Sequence, residues 1–145
     1  DHPRCNPSGD TAVTGMAMTL EQMNERLASQ PFNRWLGLRA VGYANDTLRM
    51  ELPWRDDFIG MASAAMAHGG VLTALLDVAA AYAIKPAPTI DLQIDFLRPA
   101  SRQTIYAESR VVKLGKAVTV AAAVLLDADG RQLATARGVF HTPAG

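Results

Sequence analysis

The stretch HGGVLTALLDVAAAYAI, residues 68–84, decides how the rest of the chain folds. It is too long for an ordinary strand, and its alanines and leucines favour helix. Apolar side chains surround it on nearly every side, so it belongs in an interior rather than on a surface. Pro86 and Pro88 end it. Thr73 and Asp77 interrupt its apolar run, which is shorter than the roughly 20 residues a bilayer crossing needs. That excludes a membrane span.

Asp77 is the residue that calls for an explanation. An ionised carboxylate inside a dry helix is costly unless it is paired or hydrogen-bonded. No Lys or Arg lies between His68 and Ile84, and Thr73 shares the face of Asp77 one turn earlier. Two readings stand side by side. Asp77 is a buried structural residue bonded to backbone groups elsewhere, or it is functional, met by something outside the helix or facing a cleft where the helix opens.

Working outward, the N-terminal side carries a helix and two strands. Thr19 and Gln22 form a capping box ahead of Leu20, Met23 and Leu27, which recur at helical spacing. Pro31 stops that helix, and Phe32 to Leu36 allow a further short turn. Leu38 to Ala44 reads as a strand running into the turn pair Asn45-Asp46. Beyond it Leu48, Met50 and Leu52 alternate with Thr47, Arg49 and Glu51, the two-residue period of a half-buried strand. Trp54 to Ala67 shows neither period and reads as a loop.

The C-terminal side carries four strands. In the first, Ile90, Leu92, Ile94 and Phe96 alternate with Thr89, Asp91, Gln93 and Asp95. Thr104 to Lys113, Ala117 to Leu126 and Gln132 to His141 follow, with turns at Gly115 and Asp129-Gly130. One long apolar helix against an antiparallel sheet of about six strands is an α+β architecture. Residues 1–17 have no hydrophobic period and no secretory core, so a mobile tail is expected there, followed by one domain over 18–145.

Composition narrows the functional classes. The chain has 145 residues, enough for one substantial core. Its 14 basic and 14 acidic residues balance and form no basic stripe, so nucleic acid is not an expected partner. One cysteine, Cys5, cannot close a disulfide within the chain, which suits a reducing, cytoplasmic setting. The three histidines, His2, His68 and His141, have no partners at ligand spacing, so no metal is expected. Nucleophile-elbow, dinucleotide and phosphate-loop motifs do not occur.

The helix start is the second place of interest. Two glycines after His68 let a backbone or ligand come close. No Ser, Thr, Asp or Asn stands just ahead to cap the first-turn N–H groups. Uncapped donors at a helix N-terminus suit a carbonyl oxygen gathering negative charge. An ordinary glycine-bearing junction explains the same residues. His68 reads equally as a structural helix-start residue or as an active-site contact. Arg98, after the Ile90–Phe96 strand, is either a phosphate anchor or a solvated strand end.

At these residues the chain resembles the PaaI-type thioesterases of the hot-dog superfamily. The resemblance rests on HGGVLTALLDVAAAYA, residues 68–83, followed by TIDLQIDFLRPA, residues 89–100. More loosely, the order of elements from about Thr19 to His141 fits the hot-dog fold. The family implies acyl-CoA thioester hydrolysis without metal or organic cofactor, at sites shared across a homodimer that itself pairs into a tetramer. By that resemblance Asp77 is the catalytic carboxylate, acting as base or nucleophile. Gly69 supplies the N–H that polarises the thioester carbonyl, with His68 beside it. Thr89 stands where some relatives carry a water-positioning Ser. Gly70, Thr73, Ser63 and Arg98 are the candidate substrate contacts. One position departs: relatives often have Asn six residues before the His, and this chain has Ala62.

Given those roles, helix geometry favours the dimer. Gly69 and Asp77 are separated by about 12 Å along one straight helix, at about 1.5 Å per residue. One thioester does not bridge that distance within a chain. Two antiparallel helices about a two-fold axis bring Gly69 of one copy near Asp77 of the other. Two alternatives remain: a hot-dog hydratase or dehydratase with His68 as its base, and a non-catalytic acyl-CoA-binding protein, which Ala62 favours.

Overall fold

A computed structural model describes residues 18–143. The expected tail over 1–17, with Cys5, lies outside the described residues. Helix α1 (Leu20–Ser29) begins on the capping box: Gln22 N–H donates to Thr19 Oγ1 at 3.1 Å, and Thr19 N–H donates to Gln22 Oε1 at 2.9 Å. Leu20, Met23 and Leu27 are buried by it. Pro31 both ends α1 and opens α2 (Pro31–Leu36), because a proline at the first helical position loses no hydrogen bond. Gly37, at φ 79°, closes α2 in the left-handed conformation that glycine adopts freely.

Strands β1 (Arg39–Ala44) and β2 (Thr47–Leu52) form a hairpin through Asn45 and Asp46, both at positive φ as a two-residue turn of this kind requires. After the central helix α3 (Gly69–Ile84) come β5 (Thr89–Phe96), β6 (Ile105–Lys113), β7 (Val118–Leu126) and β8 (Gln132–His141). The sheet order is β1-β2-β6-β7-β8-β5, antiparallel at every pairing. Helix α3 lies chiefly across β6, β7 and β8. Leu72, Leu75, Leu76, Ala79 and Ala80 are buried there, over small residues such as Ala107, Ala121 and Ala134 that let a helix approach closely. The expected α+β architecture, one helix wrapped by six antiparallel strands, is present.

Three local expectations are corrected. The segment Trp54–Ala67 is not a plain loop. It holds a 3₁₀ turn (Asp56–Phe58) and a small hairpin of β3 (Ile59–Met61) and β4 (Met66–Ala67). These pieces are too short to show a period, and Phe58, only 1% exposed, pins them to the core.

Helix α3 is not buried on every side either. Val71, Thr73, Ala74, Asp77, Val78 and Ala81 are all half-exposed, and Gly70 is exposed. Their spacing puts them along one side of the helix.

Strand β5 departs most from its pattern. Leu92 and Ile94 pack toward the core, but Ile90 is 48% and Phe96 55% exposed. Thr89 opposes Phe140 and Asp91 opposes Val139, so Ile90 is an extra residue in a bulge. A bulge shifts the in-and-out alternation by one residue. That shift turns Thr89, which strict alternation places on the far face, toward α3.

Candidate functional site

The half-exposed stripe of α3 carries polar groups at two separate places. The first is the helix start. His68 is the N-cap, and its Nδ1 accepts the Gly70 N–H at 2.7 Å. The expectation of an uncapped helix is therefore wrong: an imidazole does the work of the missing Ser or Asp. Its acceptor role puts the proton of the neutral ring on Nε2. The N–H groups of Val71 and Leu72 both donate to His68 O, at 2.9 and 3.3 Å. Among the described residues, that leaves Gly69 as the only first-turn amide without an acceptor.

Close packing holds this arrangement. His68 N–H donates to Phe58 O at 2.7 Å, tying the helix start to the 3₁₀ turn. Gly60 lies so near that a Cβ there would meet His68 Cα at 2.7 Å and His68 Cβ at 2.8 Å. A Cβ on Gly70 would meet His68 Nδ1 at 2.8 Å. Gly69 is different, since its Cβ would find only Phe96 ring atoms, at 3.8 Å and beyond. Its amide borders an open cleft of about 280 Å³ lined also by Leu72, Phe96, Leu97, Arg98 and Pro99.

The second place lies two turns further along α3. Asp77 is half-buried and accepts the Thr89 hydroxyl on Oδ1 at 2.6 Å. It has no ion-pair partner among the described residues. The group that meets Asp77 from outside the helix is thus a side-chain hydroxyl rather than backbone, and the carboxylate also faces a cleft. That cleft, of about 340 Å³, is walled by Arg26 and Gln30 of α1 and its end, Asn33 of α2, Tyr82 of α3, and Pro88.

The remaining candidates fall in different places. The Thr73 hydroxyl donates to Gly69 O at 2.8 Å, so it braces the helix start and does not reach for Asp77. Arg98 donates from Nη1 to Gln132 O at 2.9 Å and lines the Gly69 cleft with an exposed side chain. Ala62 and Ser63 sit on the exposed turn between β3 and β4 and line neither cleft. No group of three His, Cys, Asp or Glu side chains among the described residues is placed to hold a metal ion.

Sequence patterns missed Gly60, Arg26, Asn33 and Tyr82. Gly60 stands in a segment without a period, and only its contact with His68 gives it meaning. Tyr82 reads as one more apolar residue of α3, and its burial pushes the phenol pKa up, while Arg26 and Asn33 pull the other way. Asn33 is a polar residue only 8% exposed within a short helix, a burial that no spacing along the chain announces.

Comparisons with known proteins point the same way. Residues 65–134 match the sequence model of the thioesterase superfamily, a span that includes the whole of α3. The medium/long-chain acyl-CoA thioesterase YigI of Escherichia coli is 26% identical over 130 residues, covering 76% of this chain and 84% of that one. A solved structure of a thioesterase-superfamily protein is 32% identical, with a TM-score of 0.81 over 86% of this chain and 98% of its own. The E. coli PaaI protein of the phenylacetic acid degradation operon shares the fold at a TM-score of 0.74 and 24% identity, over 85% and 93% of the two chains.

Proposed function

The chain belongs to the thioesterase superfamily and is a hot-dog thioester hydrolase, and on that premise we propose that it hydrolyses acyl-CoA thioesters at sites shared by two copies. The carrying observation is the division of labour on α3. Gly69, whose amide is the one free first-turn N–H among the described residues, and Asp77, the carboxylate, border different clefts. At helical rise they are about 12 Å apart, too far to act on one carbonyl within a chain.

In a two-fold dimer, Gly69 N–H of one copy donates to the thioester oxygen while Asp77 of the other works on the carbonyl carbon. As a base, Asp77 takes a proton from water, and the resulting hydroxide adds to that carbon. As a nucleophile, its oxygen adds directly and water then cleaves the anhydride. Either way the C–S bond breaks, the thiolate leaves and takes up a proton, and the free acid remains. The N–H of Gly69 is worth most when the oxygen becomes an oxyanion, because a preorganised donor needs no reorientation. Thr89 holds the Asp77 carboxylate in place from one side, and His68 holds the Gly69 amide by capping its neighbour.

Two features support pairing of copies. Among the described residues strand β5 is an edge strand, and Ile90 and Phe96 on it are apolar and exposed. Such an edge invites a partner strand. The half-exposed stripe of α3 beside it is mostly Val and Ala. A dimer of dimers and a cytosolic place of action belong with the same proposal.

The hydratase alternative needs a free base at His68. Its Nδ1 lone pair is committed to the Gly70 N–H, and the neutral ring's Nε2 carries the proton. That leaves no acceptor to remove a proton from substrate. A thiol-release assay over short, medium, long and aromatic acyl-CoAs tests the proposal. Turnover of some of the panel is expected, with no hydration of an enoyl-CoA. Tight acyl-CoA binding without thiol release would contradict it and support a binding protein instead.

A further inference from the structure

The cleft beside Asp77 has a wall that hydrolysis itself does not use. Tyr82 is 3% exposed, and its hydroxyl is buried without a hydrogen-bond partner among the described residues. Arg26 and Asn33 lie near enough to that oxygen to pull its pKa down against the effect of burial. Neither forms a hydrogen bond with it, so among the described residues that oxygen has no partner. Leaving such a group unmet is unfavourable, and native structures rarely do so without a reason.

The other polar groups of the wall complement it. Arg26 is exposed, and among the described residues it has no ion-pair partner. The Asn33 Nδ2 donates to Gln30 Oε1 at 2.8 Å, which fixes the Gln30 amide so that its own Nε2 is the end left to give. The wall therefore holds donors: a guanidinium and a carboxamide N–H at the cleft, and a phenol O–H buried just behind them. Val78, Ala81 and Pro86, which line the same cleft, are apolar. Pockets of this make-up orient a ligand by a few polar groups and bury its carbon skeleton against the rest.

We propose that this wall recognises the far end of the acyl group, and that the preferred acyl group ends in a carboxylate, as in the mono-CoA thioester of a dicarboxylic acid. This rests on the acyl-CoA thioesterase reading and deepens it. A planar guanidinium binds a carboxylate by two parallel N–H···O bonds, and the buried Tyr82 O–H behind it becomes a third donor once a small shift of the wall opens it to the cleft. The scissile carbonyl sits at Asp77 and the carboxylate end at Arg26, so one chain spans the cleft.

The test measures kcat/KM for pairs of acyl-CoAs matched in length, one member ending in a carboxylate and the other in a methyl group. The wild-type enzyme should favour the carboxylate member by about tenfold, as one or two charge-assisted hydrogen bonds at an open site allow. Arg26→Gln and Tyr82→Phe, each checked for an intact fold, should each cut that ratio several-fold, mainly through KM. A wild type that favours the methyl member overturns the inference. So does an Arg26→Gln variant that lowers both members equally, which would mean the wall holds the CoA arm common to both. In either case thiol release from the methyl-ended substrates would still support the thioesterase reading, whereas no thiol release from any substrate would sink both.

Discussion

The two ends of the exposed stripe on α3 are built in opposite ways. At the start the functional atom is a backbone N–H, and what surrounds it is backbone: three glycines, a cap, and a carbonyl of the 3₁₀ turn. Around Asp77 the functional atoms belong to side chains, and four elements contribute them. The first place tolerates changes of side chain poorly wherever a glycine is pressed on His68, yet its donor survives any substitution except proline. The second loses its function when a single side-chain atom is exchanged.

The largest effect should come from that exchange. Asp77→Asn keeps the size and the contact with Thr89 but removes the base or nucleophile. Thiol release should fall by roughly a thousandfold, and near-wild-type turnover in a folded variant would break the assignment.

Next is the pair of variants at Gly69. Proline suits the first position of a helix, and His68 already has the extended backbone that a following proline requires, at φ −61° and ψ 134°. Gly69→Pro should therefore fold while deleting the one donor, with kcat lower by about a hundredfold. Gly69→Ala keeps the N–H and meets only the Phe96 ring at ordinary contact distance, so its kcat should stay within roughly tenfold of wild type. Equal losses in the two would show that the site needs space at Gly69 rather than its amide.

Thr89→Ala should cost about tenfold in kcat, since it removes one charge-assisted hydrogen bond from the carboxylate, and Thr89→Ser should restore most of it. If alanine costs nothing, Thr89 only marks where the strand bulges. The smallest effect on catalysis should follow Gly60→Ala. Its new Cβ forces His68 to move, and overpacking of this kind lowers stability by about 1–3 kcal/mol. A thermal melt should register that loss, with kcat reduced only a few-fold.

The contrast also explains what the sequence could reveal. Elements with a clean period were legible to within about a residue: α1 from its capping box, β2 from its alternation, and α3 from its length and alanines. Asp77 stood out because a carboxylate in an apolar helix is anomalous. The bulge at Ile90 was hidden, because one extra residue in a strand leaves every residue type unchanged and only the register records it. Without it Thr89 appears to point away from the helix. The cap at His68 was hidden too, since histidine is an uncommon cap and its geometry depends on Gly60, a residue with no local signal. The wall of Arg26, Asn33 and Tyr82 gathers three helices, and no spacing along the chain encodes that meeting.

The central claim is that each site takes Gly69 from one copy and Asp77 from the other. Mixing inactive Asp77→Asn chains with inactive Gly69→Pro chains tests it most directly, with subunit exchange confirmed by mass spectrometry. A mixed dimer has one site in which both residues are intact and one in which both are altered. With random pairing about half of the dimers are mixed, so activity should recover to about a quarter of wild type. If exchange is complete and the mixture stays as inactive as either parent, each site lies within a single chain and the account of a shared site is wrong.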